Sequence, residues 1–225
     1  MVSTELNGSG LKFTIDYPTE DENGLVEGRV LLLLSQNDEK EPRLQISDNS
    51  TTGFVFGVDA IGKQASRGVT IDGDAFGYPV LSINDIPAGE YWVQGLIHKY
   101  ETFNLKTGHE VKLPMDRGEG QHWHSAPGNF YSEPKKITLD PKKRKTVNIT
   151  LDQVIPPIEP PEDTEYIKHI RIQSKLLTEF WGRPMHLGAH VLLPHGYDEH
   201  PDARYPLMIF HGHYPADFGG FRPEP

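Results

Sequence analysis

The chain has 225 residues, of which 36% are hydrophobic and 24% charged, and its formal net charge is −10. This composition is typical of a folded globular protein with one large or two small domains. The negative charge disfavours nucleic acid and anionic membranes as partners. Because there is no cysteine, the chain has no disulfide, no thiolate metal site and no cysteine nucleophile.

No segment predicts insertion into a membrane. The apolar run that contains Leu31 to Leu34 is too short to span a bilayer, and it lies too far along the chain for the apolar core of a signal peptide. The absence of cysteine leaves the compartment undetermined. A secreted or periplasmic location would require an export signal removed ahead of Met1.

Residues 1–152 predict a β-sandwich. Short apolar or alternating segments are separated by turn sequences such as Asn23-Gly24 and Asp72-Gly73, and no segment has a clear helical period. Seven to ten short strands at this spacing favour an antiparallel sandwich. The candidate strands are 11–17, 28–34, 43–46, 53–58, 69–71, 80–83, 90–98, 110–113, 136–139 and 145–151.

The segment from Ile83 to Tyr91, which contains Pro87-Ala88-Gly89, resembles the tyrosine corner of immunoglobulin-like and fibronectin-like sandwiches. In those domains the tyrosine hydroxyl bonds to the backbone upstream, and a strand follows. Here that strand would run from Tyr91 to His98. The resemblance implies an immunoglobulin-like architecture, without the disulfide of antibody domains.

A proline-rich linker is predicted at 153–164. Four of the six positions from Pro156 to Pro161 are proline, which removes backbone donors and favours extended polyproline geometry. Residues 165–225 form the second region. Residues 166–174 alternate and predict a strand, whereas Lys175 to Trp181 is ambiguous between helix and strand.

Two linked segments near the C-terminus resemble the start of an esterase-D-like α/β-hydrolase. They are Leu193-Pro194-His195-Gly196-Tyr197-Asp198 and Tyr205-Pro206 followed by His211-Gly212, in the family's order and about ten residues apart. The resemblance covers roughly 166–221. It implies that 165–225 forms the first strands of a hydrolase sheet, two of them at 190–193 and 205–210, so that the fold class is mainly β with an incomplete α/β-hydrolase sheet.

The resemblance also implies a function, the hydrolysis of a carboxylic ester or carbohydrate-linked ester by a serine hydrolase that needs no cofactor. In that family the loop after the second strand supplies backbone N–H groups to the oxyanion hole. The matching positions are His211, Gly212, His213 and Tyr214. Since no Gly-x-Ser-x-Gly occurs in the chain, we expect the nucleophile, acid and catalytic histidine to lie beyond Pro225 and this chain alone to be inactive.

The apolar strands of 165–225 require cover on both faces, and the chain offers few residues to supply it. Three outcomes are compatible with this shortage of cover. The region packs on the sandwich, pairs with another chain as a homo-oligomer, or stays partly disordered.

A metal site is the alternative chemistry. His122-Trp123-His124 places two imidazoles on one side of an extended segment, where they can bind Zn²⁺ or Cu²⁺. His98 or His109 would be the third ligand. The competing interpretation is that these are ordinary loop histidines, hydrogen-bonded to carbonyls and carboxylates.

Residues 113–132 form a long loop rich in aromatic and charged side chains. Loops of this length in compact domains tend to be functional or disordered. Trp123 and Tyr131 would fix the loop to the sandwich, contact the hydrolase region, or stack on a sugar ring as in a carbohydrate-binding module.

Overall fold

A computed structural model of the chain describes residues 10–21, 24–62 and 68–211. The protein is mainly β, with 40% strand and 9% helix. It divides into two compact units. The first contains the residues up to Glu101 together with Leu113–Pro157, and the second contains Thr102–Lys112 and the residues from Ile158 onward.

The strands of the described residues are short. In chain order they are β1 (Leu11–Asp16), β2 (Glu20–Asp21), β3 (Gly24–Leu25), β4 (Gly28–Ser35), β5 (Phe54–Ala60), β6 (Val69–Ile71), β7 (Phe76–Tyr78), β8 (Gly89–Lys99), β9 (Glu101–Asn104), β10 (Glu110–Leu113), β11 (Phe130–Tyr131), β12 (Lys135–Leu139), β13 (Lys145–Thr150), β14 (Gln153–Val154), β15 (Ile167–Gln173) and β16 (His186–Leu192). One α-helix, α1 (Lys175–Trp181), accompanies them, with 3₁₀ helices at Pro42–Leu44, Ile83–Asp85 and Trp123–Ser125.

Two larger sheets and the short antiparallel pair β2–β3 form the described part of the first unit. A three-stranded sheet has the order β13-β1-β6, and a seven-stranded sheet has the order β14-β11-β8-β4-β5-β7 with β12 also paired to β8. Most pairs are antiparallel, but β1 and β13 pair in parallel, with Leu11 opposite Lys145. These two strands are far apart in the chain, so no hairpin turn imposes the antiparallel direction on them.

The main core lies between the two sheets. Alternate residues of each strand face it, including Phe13 and Ile15 of β1, Leu32 of β4 and Tyr91 of β8, all fully buried. Burial of each such side chain contributes about 1.5–3 kcal/mol. Gly95 of β8 faces the same core, where a Cβ atom would lie 2.7 Å from the side chain of Leu151, so a larger residue there would push the sheets apart.

The seven-stranded sheet also buries part of its opposite face. Leu33 of β4, Leu96 of β8 and Ile155 are buried there, and they form what we call the outer cluster. The partly buried side chains packed against it are those of Leu31, Ile46, Val55, Trp123 and Tyr131. β4 and β8 are therefore covered on both faces, which explains the unbroken apolar run in β4.

Tyr91 makes the bond expected of a tyrosine corner. Its hydroxyl donates to the carbonyl oxygen of Pro87 at 2.7 Å, and β8 follows. The ring is fully buried and meets Phe54 edge-on, with ring centroids 5.9 Å apart. Burial raises the pKa of the hydroxyl, which keeps it protonated and able to donate.

Two predicted strands of the sandwich are wrong, and a third predicted strand, at 205–210, is not formed among the described residues. Arg43 and Leu44 instead lie in the 3₁₀ helix Pro42–Leu44, since proline at its first position favours a helical turn. Residues 80–83 lead into the 3₁₀ helix Ile83–Asp85, where the Ser82 side chain accepts a hydrogen bond from the Asn84 N–H. Residues 205–210 pair with no described strand and remain exposed.

The predicted linker differs from the structure at its start. Gln153–Val154 forms β14 and pairs with β11, and the buried Ile155 donates its N–H to the Asn129 carbonyl oxygen at 2.9 Å. Residues 153–155 therefore belong to the first unit. The apolar side chain of Ile155 draws them onto the sheet, because it fills a place in the outer cluster.

The second unit joins two hairpins and α1. The helix begins after Ser174, whose side chain accepts the Leu177 N–H, and ends at Gly182, which has a φ of 68°. Trp181 meets the buried Phe103 edge-on, and the Lys106 N–H donates to the Phe180 carbonyl oxygen at 2.8 Å. No helix among the described residues is long and apolar enough to cross a membrane.

Replacing Tyr91 with Phe tests the tyrosine corner. The change removes one buried hydrogen bond and leaves the Pro87 carbonyl without its partner, so we expect the free energy of unfolding to fall by about 1 kcal/mol. Urea denaturation would measure it. Tyr78→Phe, at a half-exposed ring, is the control and should change stability by less than about 0.5 kcal/mol. Equal effects of the two substitutions would contradict the assignment.

Candidate functional site

The expected oxyanion-loop residues Gly212, His213 and Tyr214 lie outside the described residues. The apolar run before them is described, and Leu207, Met208, Ile209 and Phe210 are each at least 80% exposed. His211 is exposed as well. The hydrolase interpretation of this segment therefore stays a prediction.

The two histidines of the His-Trp-His segment lie close together. His122 precedes the 3₁₀ helix Trp123–Ser125 and His124 lies within it, with the two rings stacked at a centroid separation of 5.4 Å. His122 is exposed and His124 partly buried. The Nδ1 atom of His124 is buried and has no hydrogen-bond partner in the described structure.

The described residues contain no group of three or more His, Asp or Glu side chains that could hold a metal ion. His98, His122 and His124 are thus not brought together as the three ligands of a zinc or copper site. Arg43 is a further obstacle. Its positive charge contributes, after burial and His122, to a lowered pKa of His124, and it would repel a metal cation in the same way.

The loop serines have no catalytic partner either. The Ser125 hydroxyl donates to the carbonyl oxygen of His122 at 3.2 Å, and the buried Ser132 hydroxyl accepts the Gly95 N–H at 3.0 Å. A serine nucleophile requires a base that accepts its proton. Neither hydroxyl bonds to an imidazole, so this loop holds no serine–histidine pair.

A buried polar network lies beside the outer cluster, centred on Gln94 of β8. The side chain is fully buried, and its Oε1 accepts the Arg43 N–H at 3.0 Å. Its Nε2 donates to Glu41 Oε2 at 2.7 Å and to the Ser132 carbonyl oxygen at 2.9 Å. Both N–H donors of the amide and its oxygen take part in hydrogen bonds, so Gln94 joins three segments of the first unit.

Arg43 links this network to the histidine segment. Its guanidinium donates to both Glu41 carboxylate oxygens, at 2.8 and 3.1 Å, and to the carbonyl oxygen of His124. It also lies 4.8 Å from the centre of the Tyr131 ring. The Arg43 hydrogen bond is the main reason that the pKa of Glu41 is lowered.

The long loop is held by hydrogen bonds and packing contacts along its length. Asn129 is buried, accepts the Lys99 N–H at 3.1 Å and donates to the Trp123 carbonyl oxygen at 2.9 Å. Arg117 donates to the Pro127 carbonyl oxygen at 2.9 Å and pairs with Glu101. Trp123 itself packs on the outer cluster. These contacts favour the interpretation that the loop aromatics fix the loop to the sandwich.

The sequence interpretation missed Gln94, Glu41 and Arg43. One signal was present, since Gln94 interrupts the apolar segment Tyr91-Trp92-Val93-Gln94-Gly95-Leu96-Ile97 of a predicted strand. A glutamine in such a strand requires hydrogen-bond partners if it is buried. Its partners lie far along the chain, so their identity was not apparent.

Replacing Arg43 with Met tests the network. Methionine keeps much of the length but has no donor, so we expect the pKa of Glu41 to rise towards its ordinary value of 4.5. The lost charged hydrogen bonds should lower the free energy of unfolding by about 1–3 kcal/mol. NMR titration and urea denaturation measure the two effects. Arg144→Met, at an exposed arginine, is the control, and a matching loss in that variant would contradict the prediction.

Stability should depend on pH through His98 and His124, whose pKa values burial lowers from the ordinary 6.5. A histidine with a lowered pKa binds its proton more tightly in the unfolded chain. Its contribution to stability is therefore present above pH 6.5 and is lost as the pH falls below it. We expect a smaller free energy of unfolding at about pH 5.5 than at about pH 8, and a flatter profile in the His98→Gln/His124→Gln double variant. An unchanged slope in the double variant would contradict this.

Comparisons with known proteins do not identify a family. No family model matches the chain, and no curated protein or solved structure matches it significantly. A proposal about function therefore depends on the residues themselves and on their placement in the fold.

Proposed function

We propose that this chain is the N-terminal accessory domain and the first part of the catalytic domain of a carboxylic-ester hydrolase of the esterase-D-like type. The observation that carries the proposal is the linked pair of segments, Leu193 to Asp198 and Tyr205 to Gly212. A His-Gly dipeptide alone is common at strand ends. Two such segments in the family's order and spacing are far more specific.

The geometry of the second unit is compatible with the start of such a domain. β15 and β16 form an antiparallel pair, from Ile167 opposite Leu192 to Gln173 opposite His186, and α1 connects them. Tyr197 and Tyr205 meet after β16 with ring centroids 5.7 Å apart, so the residues between the two segments fold back. This places the start of the apolar run near the end of the hairpin.

The run from Leu207 to Phe210 also supports the proposal by its composition. Four consecutive large apolar residues are typical of a strand buried on both faces, as in the parallel sheets of α/β proteins. All four are exposed in the described structure. Neighbouring strands and helices of a complete hydrolase sheet would cover them.

The proposed chemistry is acyl transfer to a serine. Backbone N–H groups of Gly212, His213 and Tyr214 would stabilise the negative charge that develops on the ester carbonyl oxygen. Gly212 suits this role because a residue without a Cβ lets the substrate approach the backbone. The nucleophile would come from a Gly-x-Ser-x-Gly elbow outside this chain.

The first unit would serve as an immunoglobulin-like accessory domain. Two features support that finer assignment, the Tyr91 hydroxyl bond to Pro87 and the two sheets enclosing one core. The unit offers no catalytic pair among its described histidines and serines. Its part in the proposal is to support the catalytic domain and shape its surroundings.

Activity assays test the proposal. Because it has no nucleophile elbow, the 225-residue chain should hydrolyse p-nitrophenyl acetate no faster than buffer, with or without a chelator. A form extended by the reading frame beyond Pro225 should hydrolyse it with chelator-insensitive turnover. Absence of a Gly-x-Ser-x-Gly elbow from that extension would overturn the proposal, and so would turnover that a chelator abolishes.

A pair of variants in the extended form isolates the oxyanion role. His213→Pro removes a backbone N–H and should lower kcat by about 10²–10³-fold, as the loss of one oxyanion donor does in other hydrolases. His213→Ala keeps the N–H and should retain most activity. Equal losses in both variants would assign the role to the imidazole.

The alternative functions have tests of their own. Zinc or copper bound to His98, His122 and His124 predicts stoichiometric metal by elemental analysis, which should disappear in His122→Gln. A sugar-binding role predicts retention on polysaccharide that Trp123→Ala abolishes. The packing of Trp123 on the outer cluster leads us to expect loss of stability, without any change in retention, from that substitution.

A further inference from the structure

The positive charge of the chain is most concentrated where β12 joins β13, at residues 135–145, which we call the basic corner. This segment contains six of the chain's 22 Lys and Arg residues and only one of its 32 Asp and Glu residues. It therefore carries five net positive charges, whereas the rest of the chain carries fifteen net negative ones. A compact block of positive charge on an otherwise acidic protein is typical of a surface that binds an anionic partner.

The backbone of the basic corner is fixed by the hydrogen bonds of Asp140. Its carbonyl oxygen accepts the Lys143 N–H at 2.9 Å, and its carboxylate accepts the Lys142 N–H at 3.0 Å. Pro141 has a restricted φ. On either side of the turn, β12 pairs with β8 and β13 pairs with β1. Binding at this corner therefore requires little ordering of the backbone, which lowers the entropic cost of association.

All six basic side chains of the corner are exposed. Lys136 and Lys143 each form an ion pair with a carboxylate, and Lys145 donates to a backbone carbonyl oxygen. Exposed ion pairs are weak and are screened by salt, so these lysines can exchange their partners for a ligand. The other three side chains have no ion pair and no hydrogen bond to the described part of the chain, and they are those of Lys135, Lys142 and Arg144.

Protection of sheet edges explains only part of this charge. β13 is the outer strand of the three-stranded sheet, and β12 pairs with β8 alone among the described strands. Lysine side chains at such edges oppose pairing with another chain, which accounts for the lysines within the two strands. Residues 142–144 lie in the turn, where there is no strand edge to protect. The charge of the turn therefore has a separate cause.

We propose that the basic corner binds a polysaccharide that carries carboxylate or sulfate groups. The choice of a polysaccharide rests on the proposed function, in which the chain belongs to a hydrolase of carboxylic or carbohydrate-linked esters. Arg144 can bind one anionic group through two parallel N–H donors, and the neighbouring Lys142 and Lys143 supply point charges. Binding at the corner would hold the proposed catalytic domain on its polymeric substrate.

Nucleic acids and anionic membranes fit this surface less well. Double-stranded DNA carries about one charge per 1.7 Å of its axis, so the negative charge of the rest of the chain would repel it strongly. The turn, residues 140–145, contains no aromatic side chain on which a single-stranded base could stack. It also contains no large apolar side chain that would insert into a membrane interface. A polysaccharide with fewer charges per unit length is repelled less.

Retention of the 225-residue chain on immobilised polysaccharides tests the proposal. We expect retention on polygalacturonate, on dextran sulfate or on both, and release as the NaCl concentration rises from about 0.05 to 0.5 M. Neutral dextran should not retain the chain. The anionic polymer that retains it more strongly identifies carboxylate or sulfate as the preferred group. Lack of retention on both anionic polymers, or equal retention on neutral dextran, would overturn the proposal.

Two matched double variants locate the site. Lys142→Gln/Arg144→Gln removes two exposed charges without a partner and should weaken binding by about tenfold or more, with a smaller salt dependence. Lys40→Gln/Arg204→Gln removes one exposed lysine and one exposed arginine outside the corner. This control should bind like the unchanged chain. Equal retention of the two variants would overturn the proposal.

Competition separates the proposed polymer from other polyanions. Double-stranded DNA and phosphatidylserine vesicles, at equal concentrations of anionic groups, should displace the chain less effectively than the polysaccharide that retains it. More effective displacement by either competitor would overturn the proposal. Because none of these measurements involves ester hydrolysis, a failure of polysaccharide binding and a failure of the proposed esterase activity are separate outcomes.

Discussion

The first unit depends on one buried amide, the side chain of Gln94 in the middle of the seven-stranded sheet. Leaving such a group without partners costs about 1–3 kcal/mol, so the chain must supply one donor and two acceptors at fixed positions. They come from the Arg43 N–H, the Glu41 carboxylate and the Ser132 carbonyl. The 3₁₀ helix Pro42–Leu44 and the end of the long loop are thereby joined to β8. Arg43 extends the link to the backbone of His124.

This network explains why the histidine segment is conspicuous in the sequence but weak as a site. Trp123 lies between His122 and His124 and packs on the outer cluster, which turns the loop into a cover for the second face of the sheet. The packing of Trp123 fixes the positions of the two histidines, so that His122 is exposed and His124 is half-buried beside the Arg43 guanidinium. A cation next to His124 opposes both a proton and a metal ion. The contacts of this loop therefore favour a structural role in which it covers the sheet.

In the second unit the unmet requirement is apolar and not polar. This unit carries apolar side chains that the described residues do not cover, among them Ile172 of β15 and the run from Leu207 to Phe210. Apolar surface on this scale tends to mark a place of association. The ester-hydrolase proposal starts from this fact.

What the sequence by itself determined is local. Period-two alternation located most strands of the sandwich, and the tyrosine corner was visible because the Tyr91 hydroxyl reaches a carbonyl only four residues away. Other features were decided only by the tertiary structure, since their causes are distant in the chain. Residues 43–46 do not form a strand, and the Arg43 N–H donates instead to the side chain of Gln94, which is 51 residues away. The parallel pairing of β1 with β13 and the packing of Trp123 on the outer cluster likewise required distant segments to come together. Apolar patterning indicates that a side chain is buried, but it does not identify the residues that the side chain packs against.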